Sequence, residues 1–405
     1  MSPVRVDPAR QQRLTNATGV LHAAWSQESF TASDLIEATG LTRSTVLGLC
    51  AELLDLGWIH ELTDTRVAGQ YSKGRPARRY AFHPHAGHVI GVDAGQHRIT
   101  ASVADLNGSI LATAEDVDAE SDVAPQHRRE RVMETIQAAL AASAEPAAPV
   151  LALVIGVPAP VDDAGLSPEG ARGYWARMNP GLAGAGAELA QRVLVENDAN
   201  LAAVAEGAIG AGRGLRCFAA LLSGERFGTG LIADGELIRG HAGGAGEMRL
   251  LDLVEGVGST NGLGHLAREL VGEAIAAGTV PASSTLPGRL AAGESPPDAV
   301  AVFAAARAGD EFASSLVDQL ADRLARVCAV LAALFDPERI VVSGAIATSL
   351  GHLVEVATER LTDYAQHPVP SIVASTLGAD VVQAGALHRA LGVVRADPLA
   401  FDVAR

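Results

Sequence analysis

The stretch HVIGVDAGQHRITASVADLNGSILATA, residues 88–114, constrains this chain more than any other. Apolar and small β-formers run through it, broken at Asp93–His97 and at Asn107-Gly108. It therefore reads as two or three consecutive strands joined by tight turns. Far downstream, DEFASSLVDQLADRLARVCAVLAALFDPERIVVSG reads as one long amphipathic helix followed by an apolar strand. Strands in a meander and a helix–strand unit in the same chain call for an α/β fold. With 405 residues, 48 % of them apolar, there is material for two or three packed domains. Disordered, collagen-like and disulfide-stapled classes are excluded.

Three cysteines, Cys50, Cys217 and Cys328, lie far apart with no CxxC spacing. The pattern points to a reducing compartment rather than a disulfide framework or a cysteine-based zinc site. No run of 18 uninterrupted apolar residues is present, so no membrane span is expected. The first residues, MSPVRVDPARQQRL, lack the apolar core of a secretory signal, and the expected location is cytoplasmic. One lysine against 30 arginines reflects a GC-rich genome more than any activity.

Charge divides the chain unevenly. Residues 1–85 carry nine basic and eight acidic side chains, whereas the remainder carries 22 basic and 39 acidic ones. So acidic a body repels phosphate backbones, and any nucleic-acid contact belongs to the first segment. Between Arg66 and Arg79 five basic residues occur with no acid among them.

That segment holds two helical patterns back to back. TASDLIEAT (31–39) has Thr31 or Ser33 as N-cap and ends at Gly40; a second helix opens at Thr42 and stops at Gly57. Its apolar stripe is Val46, Leu49, Leu53 and Leu56, and its first turn, Thr42, Arg43, Ser44 and Thr45, is polar. A helical hairpin fits this pattern, and so does a helix-turn-helix whose second helix reads base edges. Trp58–Leu62 and Arg79–Phe82 then alternate as two short strands around RVAGQYSKGRPAR. A basic-tipped β-hairpin behind such a helix makes a winged helix-turn-helix, the other reading of the tip being a solvated charged loop. Lys73, Arg75, Arg78 and Arg79 would neutralise phosphates, and Arg75, within Gly74-Arg75-Pro76, could enter a minor groove. His83–Gly87 reads as a linker.

The strand-Asp-x-Gly-turn-strand opening at residue 88 resembles the first phosphate loop of the actin-like, hexokinase-like ATPase fold. From there ordered landmarks follow: IGVPAPVDDAG (155–165), NPGL (179–182), VLVENDANLAAVAEGAIGAGRG (193–214), GTGLIADGELIRGHAGGAGE (228–247), IVVSGAIA (340–347) and VVQAGALHRALG (381–392). Over roughly residues 15–395 the chain resembles the ROK family (repressors, open reading frames and sugar kinases), and the segment in front places the resemblance in its repressor branch.

The resemblance implies a two-lobed fold, with a small lobe of residues 86–197 plus 380–396 and a large lobe of 198–379. A DNA-binding domain (1–84) stands in front of the effector and oligomerisation domain (85–405). It also implies that Asp198 occupies the position of the kinases' general base, that Asn197 holds the sugar, and that Glu247 accepts from two adjacent hydroxyls. The nucleotide half departs from the kinase pattern. The first turn, Asp93-Ala94-Gly95-Gln96-His97, has no Gly-Thr pair to cradle phosphate. Gly224-Glu225-Arg226-Phe227-Gly228 stands where the kinases have Gly-Thr-Gly-x-Gly, so Glu225 sets a carboxylate against phosphate oxygens. Ser343-Gly344-Ala345 puts side chains where a nucleotide needs close backbone approach. Met248-Arg249-Leu250 replaces the family's zinc-site histidine region, leaving only His241 and His265 as nearby nitrogen donors, so no metal is expected.

The expectation is therefore a regulator, repressing carbohydrate-metabolism genes, with no cofactor and no kinase activity. Its partners would be a double-stranded DNA operator, a small-molecule sugar effector and a second copy, or three more, of the chain. A ROK-type sugar kinase, or an effector-independent regulator using the domain only to dimerise, are the alternatives.

Overall fold

The computed structural model describes residues 8–62, 78–117, 124–144, 148–170, 173–291, 294–365 and 368–403. The chain opens with α1 (Pro8–Trp25), β1 (Phe30–Thr31), α2 (Ala32–Thr39), α3 (Arg43–Asp55), β2 (Ile59–Glu61) and β3 (Arg79–Phe82). Thr31 caps α2 and exchanges hydrogen bonds with Asp34 in a capping box; Gly40 ends it. Thr42 caps α3 by accepting from the Thr45 amide. The three strands form one antiparallel sheet in the order β1-β3-β2. Val46, Leu49 and Leu53 are buried as their spacing requires, packed with Leu21, Phe30, Leu35 and Trp58.

Helix α1 was not legible in the sequence, although Ala17, Val20, Leu21 and Ala24 bury one face of it. Two of those four are alanines, and they give little hydrophobic contrast.

The body is two five-stranded sheets. The first uses β4 (His88–Ala94), β5 (Arg98–Ala104), β6 (Ile110–Val117), β7 (Val150–Val157) and β8 (Arg192–Asn197), with α4 (Pro125–Ala142), α5 (Tyr174–Met178) and α6 (Leu182–Gly186) beside it. Then come α7 (Asp198–Ala208), β9 (Phe218–Ser223), β10 (Phe227–Ala233), β11 (Glu236–Ile238), α8 (Leu263–Ala277), α9 (Ala299–Arg307), α10 (Glu311–Phe335), β12 (Arg339–Ser343), α11 (Gly351–Tyr364), β13 (Ser371–Ala374) and α12 (Val381–Ala396). Strand orders are β6-β5-β4-β7-β8 and β11-β10-β9-β12-β13. In both, the first three strands are an antiparallel meander and the last two join in parallel. The two sheets thus repeat one topology. A hairpin turn between the first two strands and a helix after the fifth occur once in each.

Those two helices, α7 and α12, pack against each other, and α12 lies on β4 and β7. The crossing is close: a Cβ on Gly385 would come within 1.9 Å of the Leu201 carbonyl oxygen.

The segment read as a linker is a packed joint. Pro84–Ala86 form a single 3-10 turn, and Ala86 is buried. Trp25 stacks on Phe82 at 4.4 Å between ring centroids and donates its indole N–H to the Leu106 carbonyl at 3.0 Å. The Arg395 guanidinium covers Trp25, and His22 Nε2 meets the Arg395 carbonyl oxygen at 2.7 Å. One hydrophobic cluster therefore runs from α1–α3 through β4 and β7 into α12.

Candidate functional site

The cleft between the sheets is built from strand ends. Asp93 sits near the end of β4, just before the first hairpin turn, and Asp198 opens α7 directly after β8. Both are half-buried, keeping an edge open to solvent while protein surrounds the rest. Burial raises each carboxyl pKa to about 7. The negative field of Asp93 raises Asp198 further, and Glu247 adds to it, while the Ala199 amide, donating to Asp198 Oδ1 at 2.8 Å, works the other way. Arg98 and Arg128 oppose the shift at Asp93.

Arg128, on α4, is buried and donates to three carbonyls: Ala94 (2.5 Å), Gly95 (3.0 Å) and Met178 (3.0 Å). It clamps the first hairpin turn to the end of α5. Burial lowers its pKa to about 10. Tyr174 donates its hydroxyl to Gln96 at 3.0 Å, and burial together with the field of Asp198 pushes its pKa up.

Asn197 caps α7. Its Oδ1 accepts from the Asn200 amide at 3.1 Å and its Nδ2 donates to the Ala159 carbonyl at 3.1 Å. Beneath it lies buried Glu196, whose Oε1 accepts from the Asn197 amide and from Asn200 Nδ2, and whose Oε2 accepts from Arg239 at 2.7 Å. Glu196 belongs to the first sheet; Arg239 follows β11 of the second. This pair joins the two halves behind the cleft.

Glu247 lies on the loop HAGGAGE with much of its surface open to solvent. The protein packed around its carboxyl still raises its pKa, and Arg226 lowers it. Two glycines with positive φ fix that loop. A Cβ at Gly243 would lie 1.9 Å from the Val161 carbonyl oxygen, and one at Gly246 would lie 1.8 Å from that of Thr229. The loop is therefore wedged against both halves of the cleft. Asp93 and Glu247 both act electrostatically on Asp198, so the three carboxylates share one electrostatic neighbourhood.

The second hairpin turn is tied elsewhere. Glu225 pairs with His265 (3.1 Å) and Arg268 (3.6 Å) of α8, and the loop backbone is hydrogen-bonded to residues 260–262. Arg226 is exposed and acts electrostatically on both Glu247 and Tyr174. Buried Ser343 donates to Glu206 at 2.7 Å. Among the described residues, no group of three His, Cys, Asp or Glu is placed to hold a metal ion, and no helix is long and apolar enough to cross a membrane.

In the N-terminal unit Arg43 and Ser44 are exposed at the start of α3. Thr42 and Thr45 share a 2.8 Å hydroxyl contact within the cap. Arg78 is exposed and pairs loosely with Glu61 at 3.6 Å. Arg79 turns back to donate to Ser29. Lys73 and Arg75 lie outside the described residues. Arg128, Tyr174, Glu196, Arg226 and Arg239 were not singled out from sequence as members of the sugar site. Only the substitution of Arg226 into a glycine position gave a signal.

Residues 89–392 match the sequence model of the ROK family. The chain belongs to the ROK family. It is 30 % identical over 322 residues to the glucokinase of Streptomyces coelicolor, covering 75 % of this chain and 98 % of that one. It is 36 % identical over 195 residues to the bifunctional enzyme NanE/NanK of Brucella suis, of which it spans about a third (34 %) while using 48 % of its own length. Among solved structures, a ROK family transcriptional regulator homologous to the E. coli MLC protein shares the fold. That match has a TM-score of 0.71 at 21 % identity and covers 96 % of this chain and 98 % of that one. A ROK family glucokinase from Streptomyces griseus, in complex with glucose and AMPPNP, matches with a TM-score of 0.61 at 28 % identity, covering 75 % and 99 %. As a ROK family member the chain has the two-lobed α/β architecture, and its relatives include kinases as well as that regulator fold.

Proposed function

We propose that this ROK protein is a DNA-binding transcriptional regulator, a repressor of carbohydrate-metabolism genes, whose cleft senses a sugar or sugar derivative. The observation that carries this is the N-terminal unit: two helices joined by three residues, a three-stranded sheet, and a polar exposed first turn on the second helix. On this reading residues 1–84 are a winged helix-turn-helix. Arg43 and Ser44 read base edges, Thr42 and Thr45 set the helix start, and Arg78, with Lys73 and Arg75, reaches phosphate. Arg79 serves the wing base through Ser29.

In residues 85–405 the sugar's hydroxyls meet Asp198 and Glu247. Asn197, whose amide is engaged at both ends, shapes the site through the cap of α7. Hydroxyl donors suit three clustered carboxylates, because a donated hydrogen bond stabilises the charged form that burial penalises. Glu225 and Arg226 in the second hairpin, and the missing Gly-Thr pair in the first, support loss of phosphoryl transfer. No cofactor is required. A sugar that binds one lobe arrangement better than the other shifts the DNA units of a homodimer or homotetramer. Such a protein works in the cytoplasm.

The test is fluorescence anisotropy on DNA upstream of the protein's own gene, against scrambled DNA, at two salt concentrations and across a sugar panel. Sequence-dependent binding released by one sugar is expected. Arg43→Ala should weaken it by about 1–3 kcal/mol if Arg43 makes a bidentate base contact. No binding beyond the scrambled control would overturn the reading.

A second reading, sugar kinase, is favoured by the 30 % identity to a glucokinase over nearly its whole length and by the Asp198 carboxyl, poised near 7. Sugar-dependent ATP turnover abolished by Asp198→Asn would establish it. Specific DNA binding unaltered by any sugar would favour a regulator whose body only dimerises.

A further inference from the structure

The inner side of α3 is buried through Val46, Leu49, Cys50 and Leu53. Its outer side carries a stripe of small and apolar residues. Ser44, Leu47, Gly48 and Ala51 are all exposed, three and four positions apart and so on one helix face. Leu47 is 43 % exposed. We propose, on the reading of residues 1–84 as a DNA-binding unit, that this stripe enters the major groove and that Leu47 reads the 5-methyl group of a thymine.

Three features carry the inference. The first is composition. The solvent side of a helix ordinarily takes charged or polar side chains, and beyond Ser44 this stripe has none for two turns. A lone exposed leucine is common on protein surfaces; the second feature, Gly48 beside it, sets this one apart. Glycine in a helix interior weakens the helix relative to alanine, and a Cβ on Gly48 would meet nothing within 4 Å among the described residues. The packing of the chain does not call for glycine there, whereas a surface approaching the helix closely does. The third feature is charge. Arg43 is exposed one turn before Leu47. Between Arg43 and Leu54 the one acid is Glu52, and Arg13 holds it at 2.7 Å. A face that opens on a cation and leaves no free carboxylate for two turns suits a duplex, whose phosphates flank the groove and whose floor offers thymine methyls.

Arg43 and Ser44 recognise bases by hydrogen bonds, whereas Leu47 recognises shape. Only A·T and T·A pairs present a methyl group in the major groove. Arg43 and Leu47 are about 6 Å apart along the helix axis, so the thymine lies within about two base-pair steps of the base that Arg43 meets. Gly48 lets the backbone sit low enough for leucine's short side chain to reach it.

The experiment selects duplexes with a random core on the full chain. The selected duplex is then titrated by fluorescence anisotropy with each thymine replaced in turn by deoxyuridine, which lacks only the methyl group. Replacement at one position of each half-site is expected to weaken binding about fourfold, the worth of one buried methyl group. Leu47→Ala should bind the thymine duplex about fivefold more weakly and be indifferent to that replacement. Gly48→Ala should melt no lower than the native chain, because its methyl group meets open space in the protein, yet bind roughly fivefold more weakly. Circular dichroism melts establish that both variants are folded. Selective binding in which no thymine methyl matters overturns the proposal and leaves the DNA-binding reading standing. So does uridine sensitivity that survives Leu47→Ala, or a Gly48→Ala chain that binds as tightly as the native one. Light scattering without DNA is the last arm: an oligomer that dissociates on Leu47→Ala uses this face for a second copy, which overturns the proposal too. Failure to select any sequence overturns the DNA-binding reading along with it.

Discussion

The two sides of helix α7 face different chemistries. At its first residue Asp198 feels the negative fields of Asp93 and Glu247. Two turns later Ala203, Val204 and Gly207 border a cavity shared with Arg239, Arg389 and His388. The first set is acidic throughout, whereas in the second Arg239 and Arg389 are balanced by Glu196 and Glu236. One helix and one buried ion pair hold the two apart, and that arrangement can be broken in stages.

The largest effect should come from the helix crossing itself. Gly385→Ala would drive a methyl group into the backbone of α7 at Leu201, where neither side can yield cheaply. A loss of about 3 kcal/mol is expected, with the start of α7 disturbed as well. Urea unfolding measures it; a stability change under 1 kcal/mol would mean that the helices separate readily.

Glu196→Gln should cost less, about 2 kcal/mol, because Arg239 loses its charge partner but keeps some access to water. Its diagnostic is functional. On the proposed function, sugar binding should weaken, because Glu196 holds the Asn197 amide at the start of α7. Titration with sugar alongside a circular dichroism melt would show this, and unchanged sugar affinity in a folded variant would mean that the ion pair does not support the site.

The third test removes no packing and is read through pH. Asp93 and Asp198 hold protons up to about 7 in the folded chain, against 3.8 for an ordinary aspartate. Between those limits the folded state binds more protons than the unfolded one. Stability therefore falls as pH rises from about 4 to about 7 and levels off above. Asp198→Asn should flatten that slope and raise the melting temperature at pH 8 by a few degrees, at the expense of sugar binding. An unchanged slope would mean that Asp198 is not the group responsible.

Legibility in the sequence followed the range of the interactions. The strands of residues 88–114, the cap of α2 at Thr31 and the 25-residue helix α10 were readable because neighbours within a few positions decide them. The motif around Asp198 singled that residue out, and the structure sets it at the first position of α7. Arg128 was not readable, since its partners at Gly95 and Met178 lie 33 and 50 positions away. Nor was the Glu196–Arg239 pair, 43 positions apart and fixed only when two sheets meet. The segment 83–87 looked like a linker because it is short and contains proline. Burial of Ala86 and the docking of Trp25 on Leu106 depend on a surface that no local pattern announces.

Helix α12 carries the broadest consequence. Its middle borders the cavity it shares with α7, and its last turn grips Trp25 and His22 of the N-terminal unit through Arg395. Sixteen residues make a rod about 24 Å long. Rocking such a rod by about 10° about one end sweeps the other through about 4 Å, more than a base-pair rise. If the N-terminal units are DNA-binding heads of a two-fold assembly, as proposed, the sweep is applied twice, in senses related by the two-fold rotation, to heads that must stay in phase with the turns of a duplex. Leverage, rather than any large rearrangement, would then be enough to put them out of step.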